Sequence, residues 1–277
     1  MDRKLGFRIR LWGTIIVVLA AVVVVWNYFG KNIYIFFAEH VGSVREIVRE
    51  VMTEEEGVTN IEKVNYHKEG VEASYPRILS GGSTDVLNQW NRLIKEDFDK
   101  IIQIYSFQPF PGPTPSSTDV VPIILTITYE VKANTDSWLS LFYLAEYNSA
   151  YAAHPSNLIY TTNIDKKGER RLRLTDIAKL NEDFIKDFRT WKLKDASVES
   201  DVQEAIYEYI NHISTKDLLT GFRAADNLGS DNPWGIYSYL TKDSLGISIE
   251  VPNYAGDHAE FEQSLETLKT KGLLQND

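Results

Sequence analysis

The sequence predicts an α+β domain, an antiparallel sheet with packed helices, preceded by one amino-terminal transmembrane helix. Three observations carry this. A charge-free apolar run lies near the amino terminus. Segments alternating apolar and polar residues are joined by short turns. Amphipathic helices are grouped between strand pairs instead of following every strand, as a parallel α/β fold would require. Of the 277 residues, 43% are hydrophobic and 12% aromatic, too many for a mostly disordered chain. There is no cysteine, which excludes a disulfide scaffold, a thiolate zinc site and a cysteine nucleophile. The net charge of −10 argues against a general nucleic-acid binder, which needs a basic face to release phosphate counterions.

No charged residue falls between Arg10 and Lys31. A helix over 11–30, rising about 1.5 Å per residue, crosses a hydrocarbon core of roughly 30 Å. Trp12 at one end, and Trp26 with Tyr28 at the other, suit the membrane interfaces. Arg3, Lys4, Arg8 and Arg10 precede the span against the single acid Asp2. The positive-inside rule then keeps residues 1–10 cytoplasmic and exports the rest, giving a single-pass plasma-membrane protein whose bulk is extracellular. A cleaved signal peptide would want small residues after its core, whereas Trp26-Asn27-Tyr28-Phe29-Gly30 is bulky. The exported part is more acidic than the whole chain, which suits steering of a basic partner as well as plain solubility.

Residues 31–57 read as a juxtamembrane stalk. Val41, Val44, Ile47, Val48, Val51 and Met52 form a helical stripe within 34–52, and Gly57 follows as a cap. The α+β domain occupies 58–277, with a division into subdomains at about 58–135 and 136–277 as one option. Residues 65–76 predict a hairpin turning at Lys68-Glu69-Gly70. Ser83-Thr84-Asp85 caps a helix whose buried face is Val86, Trp90, Leu93, Ile94, Phe98, Ile101 and Ile102. The stretch 109–122, rich in proline and serine, is a long loop. Strands are expected at 123–131, 137–147, 156–164 and 170–174, with turns at 134–136 and 165–168. Thr175-Asp176 caps a helical piece running through Phe184, Ile185 and Phe188, and 198–213 is another helix. A break at 227–235 precedes a hairpin of 236–240 with 245–251, and 260–268 closes as strand or short helix.

No catalytic signature emerges. The histidines are His40, His67, His154, His212 and His258, with no H-E-x-x-H or H-x-E spacing, and no G-x-S-x-G or phosphate-cradling glycine loop occurs. Asp257 beside His258 suggests a dyad, but neighbours on a strand point to opposite faces. The acid pairs Asp176 with Asp183 and Glu204 with Glu208 read as solvated helix faces. Lysines at 166 and 167 occupy places where a calcium loop needs ligands. No metal or cofactor is therefore expected. Trp138, Phe142 and Tyr143, with Tyr147 and Tyr151 after them, offer a recognition platform or core, since alternation must bury one set.

The segment 147–180 has a small-small-His step (Ala152-Ala153-His154), a strand ending in a D-x-x-x-G-like turn (Asp165 to Gly168), and an L-x-L-x-D run (Leu172, Leu174, Asp176). The carboxy-terminal part carries Tyr237, Tyr239, Leu240, then 245–251, then Pro252-Asn253-Tyr254-Ala255-Gly256 and Phe261. With Tyr75-Pro76 and the helix at 83–105, this resembles the extracellular domain of the sigma-V anti-sigma factor, which binds lysozyme. It is also similar to the non-catalytic module of a bacterial peptidoglycan deacetylase, the domain-of-unknown-function 3298/4163 type. The usual glycine-flanked His step is here Tyr151-Ala152-Ala153-His154-Pro155. Ten residues before the span are too few to fold around a sigma factor, so the anti-sigma role does not carry over. The resemblance implies a non-catalytic cell-envelope binding or sensing domain of a bacterium. Its expected partners are lysozyme, a basic wall hydrolase or peptidoglycan, and its expected ligand contacts are Tyr147, Tyr151, His154 and Tyr254. The alternatives are a wall hydrolase or deacetylase with an unrecognised site, and a scaffold that oligomerises through 34–52.

Overall fold

The computed structural model describes residues 59–68, 70–106, 124–148 and 155–275. The expected membrane helix, the stalk helix at 34–52 and the loop at 109–122 lie outside the described residues. Among the described residues, no helix is long and apolar enough to cross a membrane.

The first sheet starts with the antiparallel hairpin of β1 (Ile61–Lys68) and β2 (Val71–Ile78). Gly70 sits at φ +83°, a region glycine enters without steric cost. Its carbonyl accepts from the N–H groups of Ile124 and Leu125, which brings the next strand alongside β2. α1 (Thr84–Ser106) is capped as expected, with Ser83 Oγ accepting from Val86 N–H at 3.4 Å. Trp90, Leu93, Ile94, Phe98, Ile101 and Tyr105 form its buried stripe. The Phe98 ring lies 4.5 Å from Tyr75 and 5.6 Å from Tyr66, and the Asn91 side chain bonds both backbone groups of Ile78.

β3 (Leu125–Asn134), β4 (Trp138–Tyr147), β5 (Ser156–Asp165) and β6 (Arg170–Arg171) complete a six-stranded sheet in sequence order. β2 and β3 run parallel, with Val71 beside Leu125, so this sheet is mixed and not wholly antiparallel. The cause is α1. A helix laid across the sheet carries the chain back to its starting end, and the following strand then runs in the same direction.

The second sheet is antiparallel, with β7 (Lys192–Leu193), β10 (His258–Ser264), β9 (Ser244–Glu250) and β8 (Tyr237–Leu240) in that order. Leu245, Ile247, Ile249, Ala259 and Phe261 pack on a helical layer. That layer comprises α2 (Leu174–Ile177), α3 (Glu182–Phe188), α4 (Ser200–His212), α5 (Thr215–Ala224) and α6 (Leu265–Thr270). The opposite face turns Tyr237 and Tyr239 onto the first sheet, with Tyr239 5.4 Å from Phe142 and Tyr237 5.2 Å from Tyr160.

Several local expectations change. The strand expected at 170–174 stops at Arg171, and the single helix from 175 becomes α2 and α3. Ala178 bridges to Leu274 between them, and Asn181 caps α3 by accepting from Phe184 N–H at 2.9 Å. α5 was not expected. Ser214 caps it, Leu218 and Phe222 are buried, and Gly221 lets it approach Trp234 and Ile236, which a Cβ there would strike. Residues 260–268 are divided between the end of β10 and the start of α6.

A polar seam joins the two sheets. β8 is an edge strand, and its outward backbone groups are met by side chains. Leu240 N–H donates to Ser140 Oγ at 2.9 Å, Asn163 Nδ2 donates to Ser238 O at 2.8 Å, and Ser140 Oγ donates to Asn163 Oδ1 at 2.6 Å. Asp226 completes the seam. Its backbone is left-handed, at φ +65°, and its carboxyl group points inward onto four donors. Oδ1 accepts from Ser238 N–H at 2.6 Å and from Thr161 Oγ1 at 3.4 Å; Oδ2 accepts from Ser238 Oγ and Leu174 N–H, both at 2.7 Å. Burial pushes this carboxyl up to about 6, against donors that favour its charged form.

That value lies above the unfolded one of about 3.9, so at intermediate pH the folded state holds the extra proton. The stability contributed is complete below about pH 4 and is lost as pH rises through about 6, a swing of order 3 kcal/mol. Asp226→Asn removes this swing and turns an amide N–H₂ toward existing donors, costing about 2 kcal/mol. Urea unfolding of both proteins should show a wider gap near pH 4 than near pH 7.

Candidate functional site

At one end of the seam the sheets enclose a cavity of about 230 Å³. Its wall on the second sheet follows from strand register. Tyr237 lies opposite Ser248, and Glu250 opposite His258, so all four side chains share the face turned to the first sheet. Tyr160 and Leu158 of β5, with Ile104 of α1, form the other wall, and the 229–235 loop closes one side.

Tyrosines lead outward from this cavity. Tyr160 and Tyr237 meet edge to face, the Tyr105 and Tyr160 hydroxyls lie 3.0 Å apart, and the Tyr105 ring is 5.2 Å from that of Tyr147. Burial pushes the hydroxyls of Tyr105, Tyr160 and Tyr237 up, which keeps them protonated at neutral pH. Glu250 lies at the mouth, exposed on one side and packed over Gly235. Partial burial raises its carboxyl, and the Asp257 carboxylate raises it further.

Asp257 and His258 do not behave as neighbours on a strand. Asp257 precedes β10 in a left-handed conformation, φ +68°, directly after Gly256 at φ +101°. Its carboxylate accepts from Asn157 N–H at 2.8 Å and from Asn253 Nδ2 at 2.7 Å. His258 Nδ1 lies 3.3 Å from the carbonyl of the same Asn157. The two side chains therefore converge on one β5 residue, and the carboxylate orients the 253–257 loop where a charge relay would have it orient the imidazole. Ser248 is wholly buried in the cavity wall, and its Oγ meets no hydrogen-bond partner among the described residues.

A second, open cleft of about 810 Å³ lies across the same loop, between 193–206 and 253–260. Tyr254 stands on its rim, 72% exposed, in a 3₁₀ turn at Asn253–Ala255, and His258 lines both hollows. Of the contacts expected from sequence, Tyr254 thus belongs to this cleft and Tyr147 joins the cavity through Tyr105. Tyr151 and His154 lie outside the described residues. Tyr143 is core, Phe142 packs on Tyr239, and Trp138 donates from Nε1 to Thr241 O at 3.2 Å. Ser248, Glu250 and Tyr160 were not expected as site residues, and Tyr237 entered only as part of the carboxy-terminal motif. The alternation in LGISIEV already puts Ser248 and Glu250 on one face.

The far end of the same sheet face is built from similar parts with their cations present. Lys132 Nζ lies 2.6 Å from Glu130 Oε2, 4.3 Å from the Phe142 ring centroid and 5.1 Å from that of Tyr239. Lys194 Nζ lies 3.1 Å from Glu260 and 5.5 Å from the Tyr239 ring, whose hydroxyl donates to Glu260 and Glu262. No group of three or more His, Asp or Glu side chains among the described residues is arranged to hold a metal ion.

No family model matches the chain, and no curated protein matches it. Among solved structures it is similar to a member of the DUF3298 family from Bacteroides fragilis, at 12% identity and a TM-score of 0.45, over 79% of this chain and 95% of the other. A DUF3298 family protein from Pseudomonas aeruginosa is similar at 10% identity, with the same TM-score and coverage. A likeness at this level leaves function to the residues themselves.

Asp257→Gly relieves the left-handed strain, about 1 kcal/mol, but loses two hydrogen bonds to a charged acceptor worth about 1.5–3 kcal/mol each. The variant should be less stable in urea, and hydrogen exchange at the Asn157 amide should quicken.

Proposed function

We propose that residues 58–277 are the exported ligand-binding module of a single-pass cell-envelope protein held in the plasma membrane by residues 11–30. Its partner is a basic protein of the wall, of which a lysozyme-type hydrolase is the expected example. One observation carries this reading: an exposed tyrosine, Tyr254, stands on the rim of an open cleft, and the adjoining cavity, which shares His258 with it, is lined by two acids, Glu250 and Asp257, that no Lys or Arg among the described residues neutralises. A large exposed aromatic on an acidic chain suits a basic protein surface, the ring supplying buried area and the charge speeding encounter. The chain's net charge of −10 supports the same choice, as does the resemblance of its motifs to a lysozyme-binding domain.

The full chain in lipid nanodiscs, titrated with c-type lysozyme, tests this. Association should slow by about tenfold or more between about 0.02 and 0.2 M salt. Tyr254→Ala should weaken binding by about 2 kcal/mol, as loss of an interface anchor does. No binding at low salt overturns the reading, and retention on isolated peptidoglycan instead would assign the cleft to glycan.

A further inference from the structure

The two ends of one sheet face are built alike and charged differently. At the Lys132 end, two ammonium groups lie against aromatic rings and carboxylates. At the Glu250 end the rings and carboxylates recur with no Lys or Arg among the described residues beside them. Tyr160 and Tyr237 replace Phe142 and Tyr239, and Glu250 stands where Glu260 does two residues along the partner strand. No Lys or Arg among the described residues reaches Glu250, and the charge acting most strongly on it is the Asp257 carboxylate, which repels.

Acids alone would not make a site. The independent observation is Ser248. A buried hydroxyl without a partner costs about 1–3 kcal/mol, a cost normally avoided unless a ligand or water completes the bond. Ser248 lines the same cavity, two residues from Glu250 and on the same face, with its Oγ buried just behind the wall. A hydroxyl there can accept a hydrogen bond while the carboxylate supplies the countercharge, and the tyrosine faces favour a cation over a neutral polar group.

We infer that the cavity between β5, β8 and β9 receives one alkylammonium or guanidinium group, with Glu250 as counter-ion, Ser248 Oγ as hydrogen-bond acceptor, and Tyr160 and Tyr237 as aromatic walls. A volume of about 230 Å³ accommodates the end of a lysine or arginine side chain or a small free amine. This deepens the function proposed above and rests on it only for the source of the cation, which a basic protein would donate from its surface.

Calorimetric titration of the full chain in nanodiscs, with n-butylammonium and methylguanidinium as probes, decides the matter. At least one should bind saturably with Kd of order 1 mM, a weak affinity suited to a single charged group. Glu250→Gln should weaken it about tenfold or more, and Ser248→Ala about threefold, since the first removes the counter-charge and the second only one of the cation's hydrogen-bond acceptors. Glu250 lies at the rim, so its variant should unfold at the wild-type temperature. Tetramethylammonium, which donates no hydrogen bond, should bind more weakly than butylammonium. Probe binding that competes with lysozyme identifies the cation as the protein's; probe binding without competition, or without any lysozyme binding, identifies a free amine. Both support the cavity, and only the absence of lysozyme binding overturns the basic-protein reading. Lysozyme binding that persists undiminished in Glu250→Gln, with neither probe bound, overturns this inference and leaves the other standing.

Discussion

The molecule depends on how the exposed edge of β8 is closed. An edge strand presents unpaired N–H and C=O groups, and among the described residues no further strand covers them. Ser140, Asn163 and Asp226 do, from the first sheet and from the end of α5. These bonds are short, buried and directional, so they fix the position of β8 along β4 and β5 more strictly than apolar packing alone could. Once β8 is placed, the register of β9 and β10 follows, and with it which side chains face the first sheet. The polar face of the second sheet exists because the seam spaces it from β5 and leaves a hollow at one end.

That face illustrates how one strand pattern yields two electrostatic outcomes. Where Lys132 enters from β3, its ammonium neutralises Glu130 and Glu260 and is itself disfavoured by burial. Where no such side chain enters among the described residues, Glu250 is left with raised proton affinity and a repelling neighbour. The left-handed pair Gly256 and Asp257 belongs to the same region. Strain of this kind persists only where surrounding bonds hold it, and here Asn157 and Asn253 do so.

Much of the fold was legible because its signals are local. Alternation marked β3, β4, β5, β8 and β9, and the Ser83 cap with a three-four spacing marked α1. The parallel join of β2 to β3 was not legible, since the direction of β3 is set by α1 crossing the sheet, a contact between distant segments. α5 escaped because TKDLLTGFRA has few apolar positions and an interior glycine, which lowers helix propensity. The glycine is required by Trp234, a neighbour that only the fold supplies. The candidate site shows the same division. Tyr254 was visible as part of a motif, and Tyr147 as part of an aromatic strand. Ser248 and Glu250 acquire meaning only when pairing sets them opposite Tyr237 and His258.

Every strand of the first sheet precedes every residue of the second in the chain. As the polypeptide emerges amino end first, β1 to β6 and α1 are complete while β8 has yet to appear. A first sheet folded in that interval would hold Ser140 and Asn163 with their acceptors and donors turned to water. The hydroxyl and amide that bind β8 are groups that water can satisfy equally well while that side is uncovered. A more apolar surface there would gain packing in the mature domain and expose the nascent one to aggregation.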